Sequence, residues 1–172
     1  MMTRRLSMIA LVLIMAFATE ILLAQERGSS TAAALKRAVE MATLLEDDPF
    51  NKNAKAIRSD LLFFIIQAPD ISVHLCSDVL GNSKKIKGDY ESIILAQLTF
   101  SQAKFLIEHP DQAGDRNQEY LAGVEGVLRT YKNIKLAKPK AKIELLEELL
   151  AKQQAGQLAE YVKTAATAGC KG

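Results

Sequence analysis

"NQEYLAGVEGVLRTYKNIKL", residues 117–136, carries the clearest pattern in the chain. Tyr120, Leu121, Val124, Val127, Leu128 and Tyr131 recur at i, i+3, i+4 and i+7, which puts them on one side of an α-helix. A long helix with one apolar stripe has to bury that stripe against other elements. Gly123, Gly126 and Thr130 interrupt the pattern. Glycine costs about 0.5–1 kcal/mol against alanine inside a helix, so each needs a reason. At 100° per residue the three fall together beside the stripe, a smooth strip against which a second helix can pack closely. A ligand space between helices is the functional counterpart, but no polar constellation accompanies the strip.

The same period recurs on both sides of this segment. Upstream, Tyr90, Ile93, Ile94, Gln97, Leu98, Ser101, Phe105 and Leu106 form the inner face of a long helix running to about Glu108, with Asp89 as its cap. Downstream, after Pro139, Ile143, Leu146, Leu149 and Leu150 point inward until Gly156, and a last helix over 157–168 presents Leu158, Tyr161, Val162 and Ala165. Towards the N-terminus, Leu35, Ala38, Val39, Met41, Ala42 and Leu45 line a helix over 30–47, capped by Ser30 or Thr31. Pro49, Pro69, Pro110 and Pro139 stand at the joints, as a residue without a backbone donor should. Their spacing is irregular, which excludes a repeat array.

Two stretches admit more than one conformation. "LLFFII", residues 61–66, is apolar on every face and predicts a helix buried all round at the centre of the fold, with a buried strand as the competitor. "APDISVHLCSDVLG", residues 68–81, alternates at Ile71, Val73 and Leu75 but also fits helical spacing. With helices on both sides it reads as a short helix. "LLEDDPFNKNA", residues 44–54, resembles the turn between helices of a tetratricopeptide repeat. The likeness does not recur and implies a helix–turn–helix only. The expected fold is all-α: a compact irregular bundle of about six or seven helices after an N-terminal signal helix.

Residues 1–24 carry Arg4 and Arg5 before an uncharged apolar run from Leu6 to Ala18. This length suits a secretory signal, since a membrane span needs roughly 20 apolar residues. Cleavage is expected after Ala18 or Ala24, leaving residues 25–172 as one helical domain. An uncleaved anchor has to carry Glu20 through the bilayer, at about 2.5–3.5 kcal/mol near its centre. The formal charge of +2 falls to +1 with residues 1–24, because Arg4, Arg5 and Glu20 leave together. So small a charge is no nucleic-acid signature. Lys132, Lys135, Lys138, Lys140 and Lys142, like Lys84, Lys85 and Lys87, suit helix ends and solvated loops.

Cys76 and Cys170 are the only cysteines. In an exported chain a single pair is expected to be oxidised, so a Cys76–Cys170 disulfide would pin the last helix to the middle of the core. The sharper alternative is a metal site from Asp70, His74 and Asp78, spaced to share one helix face. Zinc usually takes three or four protein ligands, and the only other histidine is His109. Catalytic motifs are missing, and no metal or other cofactor is expected. The expectation is an exported binding or interaction module, periplasmic or extracellular, whose partner is a protein or a small ligand. It would contact a membrane only through residues 1–24, and only if these are not cleaved. A carboxylate-based hydrolase and a membrane-tethered structural factor are the alternatives.

Overall fold

A computed structural model describes residues 29–82, 86, 88 and 90–170. The signal segment, the Asp89 cap and Lys84, Lys85 and Lys87 lie outside the described residues. Six α-helices follow in order: α1 Ala32–Asp47, α2 Ala54–Gln67, α3 Glu91–Glu108, α4 Arg116–Ala137, α5 Glu144–Gln154 and α6 Leu158–Gly169. Short 3-10 turns occupy Ser77–Leu80 and Pro110–Gln112, and no strand forms among the described residues. The fold class is all-α, as the periodicity predicts.

Local chemistry sets the boundaries. The Thr31 hydroxyl accepts the Ala34 N–H at the start of α1. The Asp115 carboxylate accepts the N–H groups of Asn117 and Gln118 at the start of α4. Both satisfy donors that the first helical turn leaves without partners. All four prolines lie outside the α-helices.

Helices α3 and α4 pack along each other at the centre, and their apolar faces meet α5, α6 and the 3-10 turn at Ser77–Leu80. The α4 stripe is buried at Tyr120, Val124, Val127, Leu128 and Tyr131, with Leu121 at its edge. Helices α1 and α2 build a second apolar cluster with Phe100 and Ala103 of α3. Tyr131 ties α4 to the start of α5. Its hydroxyl donates to Glu147 (2.7 Å) and accepts the Ile143 N–H (2.9 Å). Burial first, and the Glu147 carboxylate with it, outweigh the Ile143 N–H and push its phenol up to about 12, so it stays neutral.

The small-residue strip is where α3 and α4 come closest. A Cβ on Gly123 would stand 2.8 Å from Cγ of Gln102 and 3.1 Å from the Leu98 carbonyl oxygen. A Cβ on Gly126 would overlap Oγ and Cβ of Ser101 and sit 2.9 Å from Oε1 of Glu46. The strip is filled by side chains of α3 and is packing, not a ligand chamber. Gly126→Ala gains about 1 kcal/mol of helix propensity. It is nonetheless expected to lose a net 1–3 kcal/mol or so through overpacking. Thermal unfolding checks this, and an unchanged or higher melting temperature would show that the helices are not so close.

Two expectations need correction. The 61–66 run is helical but not central: Leu61 and Ile65 are buried, while Leu62, Phe63 and Ile66 are 46%, 66% and 65% exposed. Its helix, α2, lies at the margin, packed mainly against α1 and α3. The short helix expected over 70–80 forms only as the 3-10 turn at Ser77–Leu80; residues 71–76 form no helix, and Cys76 is extended. That segment has to bridge the two clusters. Ile71 and Val73 pack on the α1–α2 cluster, and Cys76 packs on the larger one. An extended chain covers roughly 3.3 Å per residue, against 1.5 Å in a helix.

Candidate functional site

Cys76 ends the bridging segment and Cys170 caps the C-terminus of α6. Their sulfurs are bonded, with Cα atoms 5.7 Å apart and the two residues 94 positions apart in sequence. The bond fastens the end of the last helix to the segment that bridges the two clusters.

The side chains considered as a metal site part company, because the segment that carries them is not a helix. Asp70 turns to the chain's start, taking the Ser30 N–H (3.0 Å) and hydroxyl (2.6 Å). His74 pairs with Glu119 of α4. Asp78 sits over Gly169, where an added Cβ would meet its Cβ at 2.6 Å. Among the described residues no group of three or more His, Cys, Asp or Glu side chains is arranged to hold a metal ion.

Sequence reasoning did not find the His74–Glu119 pair. Glu119 is 1% exposed. One of its oxygens accepts the His74 backbone N–H (2.7 Å) and the other faces Nδ1 at 2.9 Å. A carboxylate only accepts, so Nδ1 carries the proton and Nε2 is left for another partner. His74 lines a cleft of about 430 Å³ with Asp78, Arg116, Tyr120 and the disulfide. The cleft lies where the bridging segment, the start of α4 and the end of α6 meet.

Glu46, 2% exposed, was also missed. Arg129 Nε donates to its Oε2 (2.9 Å) and Arg129 Nη2 to its Oε1 (3.2 Å). The Ser101 hydroxyl donates to Oε1 (2.8 Å), and Gln97 supports Ser101 (3.0 Å). Lys104 Nζ lies 3.8 Å from Oε2. Asn133 donates to the Glu46 carbonyl (2.8 Å). This network joins α1, α3 and α4. Burial alone would raise the Glu46 carboxyl, but the Arg129 and Ser101 hydrogen bonds and the nearby cations hold it below its ordinary value. Glu46 reaches α4 at Gly126, Arg129 and Asn133, whereas Glu119 belongs to α4 itself and turns to His74.

The outer face of α2 is the other distinctive surface. Phe63 and Phe64 close a groove of about 310 Å³ with Ala34, Arg37 and Met41 of α1 and with Asp60. Of the lysines around Pro139, four are engaged locally, Lys142 with Glu144 among them. Lys132 donates to Gln153, Lys135 pairs with Glu147, and Lys138 lies over the Phe50 ring. No helix among the described residues is long and apolar enough to cross a membrane. Comparison of the chain with protein-family models, with curated proteins and with solved structures finds no match.

Proposed function

We propose that the chain is an exported interaction module that docks the apolar side of a partner protein's helix on the outer face of α2. The observation that carries this is the exposure of Leu62, Phe63 and Ile66 together on one marginal helix. Large apolar side chains grouped at the surface mark binding sites, whereas singly scattered ones do not. The adjoining groove has an apolar floor at Met41 and Phe64 and both charge signs at its edges, in Arg37 and Asp60. An amphipathic helix fills such a groove with side chains at i, i+3, i+4 and i+7. Export rests on residues 1–24 and is supported by the Cys76–Cys170 bond, since disulfides persist mainly in oxidising compartments.

A photo-crosslinking residue at position 63, in the protein exported by its own host, tests the docking. The expected result is a discrete protein adduct that is absent when the same probe replaces exposed Lys163. Equal adducts at both positions, or adducts to lipid alone, would overturn it. Lipid adducts would support the second reading, a membrane-tethered factor. One contact favours that reading: Ser30 is fixed to Asp70, three residues beyond the end of α2. Phe63→Ser is expected to reduce crosslinking from position 66 while leaving the melting temperature within a few degrees, because the removed ring is already exposed.

A further inference from the structure

We infer that the cleft between His74, Asp78, Arg116 and Tyr120 binds a small zwitterion of amino-acid type, with its carboxylate on Arg116 and its ammonium on Asp78. This site shares no residue with the α2 face and does not rest on the docking proposed there.

The cleft contains one cation and one anion that do not neutralise each other. Arg116 and Asp78 both line it, yet no ion pair joins them, and neither pairs with any other described residue. Glu119, the other acid at this place, is already occupied by two donors from His74. Both side chains are exposed and solvated; a ligand of single charge engages one of them, whereas a ligand with both charges engages the two. Further polar capacity converges on the same space. The buried Tyr120 carries a hydroxyl with no hydrogen-bond partner among the described residues, and Arg116 is close enough to it to oppose the upward push of burial on its phenol. The Glu119 contact fixes the His74 ring, leaving Nε2 to the ligand.

Size and wall chemistry set the rest of the ligand. About 430 Å³ lies at the lower end of the range for small-molecule sites, which suits one amino acid and not a long peptide. Leu75 and the Cys76–Cys170 bridge supply apolar wall for a side chain of about leucine's size. Both charged ends come from rigid places. Arg116 is the first residue of α4, and Asp78 belongs to the 3-10 turn that the adjacent disulfide holds against α6. A site that needs little ordering on binding loses less affinity to entropy.

Titration of the exported, 15N-labelled protein with L-leucine at millimolar concentration tests the site, read from amide shifts. Signals from 74–78, 116–120 and 169–170 are expected to move. N-acetyl-L-leucine, which lacks the ammonium, and L-leucinamide, which lacks the carboxylate, should each bind about tenfold more weakly or worse, since a charge-assisted hydrogen bond is worth roughly that factor. Arg116→Gln and Asp78→Asn should lose leucine binding by a similar factor with unchanged melting temperatures, because neither side chain has an ion-pair partner among the described residues. Unmoved signals with leucine, equal binding of either blocked derivative, or undiminished binding by either variant would overturn the proposal. Binding of inorganic phosphate as tight as that of leucine would overturn it in favour of a simple anion site. Leucine binding by Phe63→Ser should match that of the parent whether or not the α2 face docks a partner.

Discussion

The Cys76→Ser/Cys170→Ser double variant melts roughly 10 °C below the oxidised parent. In the chain-entropy account, a bond closing a loop of 94 positions removes conformations from the unfolded chain worth up to about 4.7 kcal/mol. Measured losses on deleting a native bond commonly fall at about 2–5 kcal/mol. At this chain length each kcal/mol moves the melting point by about 2–4 °C. The loss should concentrate at one end of the fold. Leu158, Val162 and Ala166 remain buried without the bond, so α6 stays docked along most of its length. Its last turn, where Gly169 lies under Asp78, is what the bond holds. Amide exchange should therefore accelerate at 167–170 and 74–78 before anywhere else in these elements. A variant that melts with the parent would show that the bond closes a junction already stable without it.

Glu46→Ala carries the other large expected loss, about 3 kcal/mol or more. Removing one partner of a buried pair leaves the other groups desolvated without compensation. Here Ser101 and Gln97 lose the acceptor that organises them, and Lys104 and Arg129 lose their counterion. Arg129 is partly exposed and regains water, which keeps the loss near the lower end of the range for buried pairs. Glu46→Gln keeps an acceptor for Ser101 and should lose less. Acid dependence separates the charge from the packing. The folded carboxyl lies below its ordinary 4.5, so its ionised form adds stability above that pH. The increment is lost as pH falls through the folded value. The stability gap between parent and Glu46→Gln, measured by urea unfolding, should be constant near neutrality and shrink below about pH 4.5. A gap independent of pH would show that Glu46 is held by shape and not by charge.

Most of the helices were legible because an apolar stripe runs between a proline or a cap at their edges, and α4 shows this best. Gln97 and Ser101 fell correctly on the inner face of α3, and two polar residues within an apolar stripe already imply a buried polar partner. Glu46 was the candidate, one turn after Ala42 on the α1 stripe, but that signal was not followed. The run at 61–66 misled because helical burial depends on how many neighbours surround a helix, which its own composition does not specify. The 70–80 segment misled in the other direction. Its helical spacing holds only at Ser77–Leu80, and of the alternating Ile71, Val73 and Leu75 only the first two pack on the core while Leu75 is exposed. A segment without a strand partner has to find hydrogen bonds elsewhere, and Glu119 supplies one to His74 from 45 positions away. A pairing at that separation leaves no local trace in sequence.

Intact mass of the protein recovered from the exported fraction of its host, before and after reduction, tests the central claim most directly. The account predicts a chain that begins after Ala18 or Ala24 and gains the mass of two hydrogens on reduction, with no thiol open to alkylation beforehand. A chain that retains residues 1–24 in the cytosolic fraction, with Cys76 and Cys170 both alkylated without reductant, would contradict it.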